Sequence, residues 1–140
     1  ELNSQELEQL GCQGMELVVY GYLPVMTSAQ CIQKTTDRCT HRPGLLQMRD
    51  RTGKDLPVKN RCTFCYNTIY NTTPLMLFGY GKELQKADFS NFRLNFTVES
   101  EEEVRQILAI YETVFYEGGK NLADVYQGEY TNGHYKRGVE

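Results

Sequence analysis

Four cysteines fall within residues 31–65 of this 140-residue chain and constrain the fold of that stretch. Cys31, Cys39, Cys62 and Cys65 form the pattern C-x7-C-x22-C-x2-C, which ends in a Cys-Thr-Phe-Cys pair. Thiolates bind soft or borderline metals such as zinc and the iron of iron–sulfur clusters, and two ligands three positions apart reach one metal from a single turn. The pattern predicts a metal or iron–sulfur site at these four residues.

Two other interpretations of the cysteines stay open. The outer spacings match no standard zinc-finger or ferredoxin pattern, so buried structural thiols or disulfides also fit. The fifth cysteine, Cys12, makes the count odd, which excludes complete pairing within one chain. Unpaired thiols suit a reducing compartment, and a cytoplasmic location is therefore predicted.

The charge of the chain is unevenly distributed. Its net charge is −3, but residues 31–65 carry +5 and the rest carries −8. The basic residues of this stretch are Lys34, Arg38, Arg42, Arg49, Arg51, Lys54, Lys59 and Arg61. A local basic excess beside a metal site predicts an anionic partner, RNA or an anionic small molecule, although a solvated basic loop would carry the same charge.

The chain has the size of one domain. No apolar run reaches the roughly 18 residues of a membrane span, so no membrane association is predicted. The sequence starts without methionine and enters a helix-like segment almost at once. We expect a fragment of a longer protein.

Hydrophobic periodicity and end signals predict the elements of the chain. A short helix over Ser4–Leu10 ends at Gly11, and residues 15–23 form a buried strand. Residues 44–70 form a β-hairpin or small meander around a turn at 50–53. Pro74 opens a helix over residues 75–86, and residues 91–96 form a strand.

The last helix has the clearest signals. Ser100 and Glu103 form a capping box, and apolar residues then recur at helical spacing up to Gly118. Its first-turn glutamates are capping charges, and paired catalytic carboxylates are not predicted there.

Several segments, in order, resemble the collagenase-like peptidase family, peptidase family U32. They are residues 16–21 (ELVVYG), 23–26 (LPVM), Cys31, 46–53 (LQMRDRTG), 56–58 (LPV), 67–74, 92–94 (FRL) with the capped helix, and 133–139 (GHYKRGV). The resemblance implies an α/β fold, the C-terminal portion of a (β/α) barrel-like domain with a small β-hairpin insertion. The missing N-terminal half would be a partner, and exposed strand edges would favour a homodimer of the fragment.

The resemblance also implies an internal division. Residues 1–30 would supply a helix and a barrel strand, 31–73 a cysteine-bearing β insertion, 74–117 a helix-strand-helix segment, and 118–140 a C-terminal segment. Some family members hold a four-iron (4Fe-4S) cluster through four cysteines, with zinc or no metal as the alternatives here. Cys31 and Cys39 match two of those cysteines, but Pro24 stands where some members have another.

Three functions follow as hypotheses. The first is that the chain forms part of an iron–sulfur-dependent enzyme that hydroxylates RNA or a small molecule. The candidate substrate contacts are Glu16, Arg49, Arg51 and Arg93. A buried salt bridge between strand residues is the alternative role for Glu16 and Arg93. The second is a peptidase, as the family name suggests, although no catalytic motif is present and no spacing pairs His41 or His134 with a cysteine. The third is a non-catalytic nucleic-acid-binding module.

Overall fold

The structure is a computed structural model that describes residues 2–137, and it divides into two compact units. Within the described range, residues 2–21 and 74–137 form one unit, here called the discontinuous unit. Tyr22–Thr73 forms the other, here called the cysteine unit because it contains four of the five cysteines.

The discontinuous unit is built on a three-stranded mixed sheet. Strand β1 (Glu16–Gly21) lies in the centre, parallel to β7 (Asn91–Leu94) and antiparallel to β6 (Leu75–Met76). The second half of β1 is buried, as its β-branched and aromatic residues predict.

The discontinuous unit also contains several short helices. They are α1 (Ser4–Leu10), α3 (Gly81–Lys86), α4 (Glu101–Ile110) and α5 (Leu122–Val125). The 3-10 turn Phe78–Tyr80 precedes α3, and the π-helical turn Tyr111–Tyr116 continues α4. The predicted bounds of α1 and its end at Gly11 are confirmed, and so is the capping box of Ser100 and Glu103.

Aromatic rings form the centre of this unit. Phe78 and Phe115 are each 1% exposed, and their ring centroids lie 6.1 Å apart. Phe115 also meets Phe92 edge-on at 4.9 Å and stacks on Tyr111 at 5.0 Å. Such pairs stabilise a core beyond the burial of their area. Through Phe115, the π-helical turn therefore packs against Phe92 on strand β7 of the sheet.

The cysteine unit is a four-stranded antiparallel sheet. Its strands are β2 (Pro24–Ser28), β3 (Gly44–Arg49), β4 (Asp55–Arg61) and β5 (Tyr66–Tyr70), in the order β2-β5-β4-β3. The short helix α2 (Ile32–Thr35) lies between β2 and β3 in the chain. The predicted turn is present, since Asp50 Oδ1 accepts hydrogen bonds from the amides of Thr52 and Lys54.

The two faces of this sheet differ in burial. Asn60 pairs with Asn67 and Val58 with Ile69, and all four residues are buried. The alternate pairs, Lys59 with Thr68 and Arg61 with Tyr66, lie on the opposite, open face because strand side chains alternate. The register therefore places basic and aromatic side chains together on the open face.

The predicted barrel-like fold is wrong. The described residues form two small sheets, one of them wholly antiparallel, and no barrel closes. β1 has one parallel neighbour and one antiparallel neighbour, whereas a (β/α) barrel has parallel neighbours on both sides. The β-hairpin or small meander predicted over residues 44–70 is present as β3, β4 and β5, and β2 adds a fourth strand beside β5. The homodimer of the fragment stays a prediction.

The predicted helix over residues 75–86 is also wrong in its first half. Leu75 and Met76 pair with Gly21 and Tyr20, and Leu75 also bridges to Thr131. These residues are buried, and distant strand partners outweigh the local helix signal of Pro74. Only residues 81–86 form the α-helix.

Within residues 2–137, no helix has the length and apolar character required to cross a membrane. The resembling segment 133–139 lies partly outside the described residues, which end at Arg137.

Replacing Ser100 with alanine is expected to lower the free energy of unfolding by about 1 kcal/mol, because Ser100 Oγ caps the amide of Glu103. Hydrogen bonds from Ser100 also lower the pKa of Glu103. The stabilisation from Glu103 is therefore present at neutral pH and lost as pH falls through that lowered pKa. Urea unfolding followed by helical circular dichroism measures both effects. Gln106→Ala, an exposed change on the same helix, is the control, and an equal loss in both variants would contradict the capping role.

Candidate metal centre

Cys31 is the most buried of the four clustered cysteines, at 3% exposure. It lies directly before α2, and its backbone carbonyl accepts the first helical hydrogen bond, from the amide of Thr35. Its Sγ lies 3.7 Å from Asn60 Oδ1, to which it donates a hydrogen bond. The sequence between β2 and α2 thus holds this thiol against the buried face of the sheet.

Cys39 follows α2 in an irregular segment and is half-buried. Asp37 and His41, on either side of it, adopt positive φ angles of 55° and 54°. Such angles are uncommon for residues other than glycine and mark tight changes of chain direction. The segment folds back, so the eight-residue separation of Cys31 and Cys39 does not separate them in space.

Cys62 and Cys65 lie on the turn that joins β4 to β5. The amide of Cys65 donates to the carbonyl of Cys62 at 3.4 Å, and Cys65 has a positive φ of 52°. Cys62 is half-buried and Cys65 is exposed. The C-x2-C pair therefore occupies a tight hairpin turn, which is the local geometry that its spacing predicts.

All four cysteines line one cavity of about 200 Å3, here called the thiol cavity. Its other lining residues are His41, Pro43 and Thr63. The cysteines come from three separate parts of the cysteine unit: the start of α2, the segment after α2, and the β4–β5 turn. The structure thus brings together the residues predicted as metal ligands.

Asn60 is a buried polar residue at this site that the sequence pattern did not indicate. Besides accepting from Cys31, it donates from Nδ2 to Gln33 Oε1 at 2.7 Å and to Cys62 Sγ at 3.3 Å. It is fully buried, so each of these bonds offsets a desolvation cost. Its place two residues after buried Val58 on β4 was the available signal, because both then lie on one face.

Neighbouring thiols affect one another electrostatically. Burial raises the pKa of the Cys62 thiol, and negative charge on Cys39, Cys31 or Cys65 would raise it further. A cation between the sulfurs would reverse that repulsion.

However, within residues 2–137 no group of three or more histidine, cysteine, aspartate or glutamate side chains has the geometry needed to hold a metal ion. The thiols surround the cavity without meeting at one point. Metal binding would require the thiols to move closer together.

The predicted substrate contacts lie in different units. Glu16 and Arg93 belong to the discontinuous unit and form an ion pair of 2.6 Å with both side chains substantially exposed. Arg49 and Arg51 belong to the cysteine unit. Arg49 forms a two-point pair with Asp55, at 2.8 Å and 3.0 Å, which lowers the pKa of Asp55. The role of these four residues in substrate binding stays a prediction.

Of the remaining cysteine and histidines, Cys12 and His134 lie in the discontinuous unit and His41 lies in the cysteine unit. Cys12 is buried in the discontinuous unit, where its Sγ donates to the Leu7 carbonyl at 3.4 Å, so it packs as a structural thiol. His134 is exposed in the same unit. His41 lines the thiol cavity and adds one imidazole to the four thiols.

No known protein-family model, curated protein or solved structure matches this chain. The resemblance to the collagenase-like peptidases therefore stays a prediction.

Proposed function

We propose that the cysteine unit binds a metal ion or an iron–sulfur cluster through Cys31, Cys39, Cys62 and Cys65. The observation that carries this proposal is the thiol cavity, which gathers cysteines from three parts of the unit. The donor set fits the group, because thiolates select zinc and iron–sulfur iron over harder cations. When bound, zinc would supply a structural crosslink and a four-iron cluster would supply electron transfer.

The small core of the cysteine unit supports the proposal. Among its hydrophobic residues, only Cys31, Val58, Ile69 and Tyr70 are buried. Units below about 70 residues usually need metals or disulfides in addition to such a core. All five cysteines are free thiols, and a metal held by four of them would supply such a crosslink. The free thiols also support a cytoplasmic location.

Anaerobic purification followed by metal and sulfide analysis tests this function. Zinc without sulfide would identify a structural zinc site, and iron with equal sulfide would identify a cluster. Removing the metal by a chelator should unfold residues 22–73, seen as loss of amide protection from hydrogen exchange there. Protein that contains neither metal, with protection unchanged by chelator, would refute the proposal.

A second candidate function, binding of single-stranded nucleic acid, is favoured by the aromatic pair Phe64 and Tyr66. Phe64 is 77% exposed on the turn between Cys62 and Cys65. Its ring stacks against Tyr66, with centroids 6.4 Å apart and planes 29° apart. An exposed ring at the tip of a turn offers a surface on which an unpaired base can stack.

Charge supports the same function. The cysteine unit contains eight basic residues and three acidic ones. Arg61 pairs in register with Tyr66, so its guanidinium lies on the same open face of the sheet as the Tyr66 ring. Bases would stack on Phe64 while Arg61 contacts phosphate. A metal in the thiol cavity would fix the turn that carries Phe64.

Phe64→Ala is expected to weaken binding of a single-stranded oligonucleotide by about 5- to 150-fold, because stacking on one aromatic ring contributes roughly 1–3 kcal/mol. Fluorescence anisotropy with labelled RNA and DNA oligonucleotides measures the affinity and distinguishes the two nucleic acids. Tyr116→Ala, which removes an aromatic ring that is 73% exposed in the discontinuous unit, is the matched control. Affinity that does not fall with added salt, or that falls equally in both variants, would contradict this function.

The hydroxylating activity and the peptidase activity implied by the family resemblance are separate proposals. Support for the first is the redox chemistry that a four-iron cluster in the thiol cavity would supply next to a basic surface. The second is tested by cleavage of gelatin or casein with and without chelator, and intact substrates would count against it.

A further inference from the structure

A second cavity, of about 320 Å3, lies wholly within the discontinuous unit and is here called the lysine cavity. It opens between the 3-10 turn, the start of α3, the π-helical turn and the segment before α5. Its lining residues are Phe78, Gly79, Tyr80, Gly81, Lys82, Glu83, Val114, Gly118, Lys120, Asn121 and Leu122. This volume lies within the range of small-molecule sites, about 300–1,000 Å3.

The walls of the lysine cavity are held together by close backbone packing. A Cβ on Gly81 would lie 2.5 Å from the Phe115 carbonyl oxygen, so α3 approaches the π-helical turn as closely as glycine allows. Gln85 Nε2 donates to the same carbonyl at 2.7 Å. π-helical turns of this kind recur at functional sites. The cavity is thus formed before any ligand binds.

The lining combines an apolar floor with positive charge. Phe78, Val114 and Leu122 are buried and supply the floor. Lys82 extends over Gly118, since a Cβ on that glycine would lie 3.1 Å from Lys82 Cε. Lys120 adds a second ammonium group, and neither lysine forms an ion pair with any residue in the described range 2–137.

The one carboxylate of the lining, on Glu83, is already bound. Glu83 Oε1 accepts a hydrogen bond from the Tyr135 hydroxyl at 2.9 Å, and Oε2 lies 3.3 Å from Lys136 Nζ. These partners offset the negative charge of Glu83, so Lys82 and Lys120 give the cavity lining a net positive charge.

We propose that the lysine cavity binds a small organic anion, whose apolar body lies on Phe78, Val114 and Leu122 and whose phosphate or carboxylate group meets Lys82 and Lys120. This site is independent of the metal centre and of nucleic-acid binding. The apolar floor selects against a bare inorganic anion, and the lysines select against a neutral ligand of the same shape.

Phenyl phosphate and phenylacetate are the probes, titrated into the complete chain and followed by amide chemical-shift changes. We expect saturable binding by at least one probe, with a Kd of about 1 mM or lower, and the tighter probe identifies the anionic group. Lys82→Met and Lys120→Met should each weaken binding several-fold, whereas Lys86→Met, on the same helix as Lys82, should leave it unchanged. The lysines are exposed, so these variants keep the fold.

Two results would overturn the proposal. Inorganic phosphate that binds as tightly as phenyl phosphate would show that the apolar floor contributes nothing. Binding that is absent, or that survives in both Lys82→Met and Lys120→Met, would show that the lysine cavity is not an anion site.

Discussion

Replacing both Cys62 and Cys65 with serine is expected to abolish metal binding and to unfold the cysteine unit. The two residues supply half of the proposed ligands from one turn, and serine hydroxyls do not replace thiolates for zinc or iron–sulfur iron. Structural zinc contributes about 10–16 kcal/mol of apparent binding free energy in small domains. The few buried residues of this unit cannot compensate for such a loss.

Metal analysis and amide hydrogen exchange measure the two effects together. Protection should vanish in residues 22–73 and persist in β1 and α4, which belong to the other unit. Cys12→Ser is the matched control, because Cys12 lies in the discontinuous unit and should leave the metal content unchanged. Undiminished metal in the double variant would contradict the assignment of these ligands.

Gly21→Ala is expected to lower the free energy of unfolding of the discontinuous unit by about 2–6 kcal/mol, the largest effect that we predict for this unit. Gly21 ends β1 with φ at 148°, a conformation that residues with a Cβ rarely adopt. An added Cβ would also lie 2.5 Å from the Asn95 carbonyl oxygen, so strand β1 or the chain after β7 must shift. Typical domains have a free energy of unfolding of only about 5–15 kcal/mol, so a loss of this size removes a large part of it.

Gly11→Ala separates backbone strain from steric overlap. Gly11 has a positive φ of 74°, but a Cβ there meets nothing within 4 Å. We expect Gly11→Ala to lower the free energy of unfolding by only about 1 kcal/mol. Urea unfolding of both variants measures the difference, and equal losses would show that the contact with Asn95 is unimportant.

Local signals in the sequence predicted the elements whose causes are local. The capping box of α4 depends on residues three positions apart, and the turn at Asp50 depends on hydrogen bonds over four residues. Such interactions are visible in a sequence because the interacting groups are close along the chain. The bounds of α1 and the start of α4 were accordingly confirmed.

Elements whose causes lie far along the chain were missed. Leu75 and Met76 form β6 because β1, more than fifty residues earlier, offers them a buried edge. The pairing of β2 with β5 is also long-range, and it adds a fourth strand to the predicted hairpin or meander. Neither pairing leaves a periodic signal in its own segment. The barrel-like fold, which only the family resemblance implied, was wrong.

The candidate site was partly predictable for the same reason. The C-x2-C spacing of Cys62 and Cys65 places them on one turn, but the approach of Cys31 and Cys39 to that turn depends on the fold of the whole unit. Asn60, which hydrogen-bonds both Cys31 and Cys62, resembles any polar residue of a strand until its burial is known.

X-ray absorption at the zinc and iron edges of anaerobically purified protein tests the central claim most directly, because it counts the atoms bound to the metal. The metal centre proposed here predicts sulfur neighbours alone, four of them at about 2.3 Å for zinc. An iron–sulfur cluster would add iron neighbours at longer distance. A first shell of nitrogen and oxygen without sulfur, or protein free of both metals, would contradict a four-cysteine metal centre.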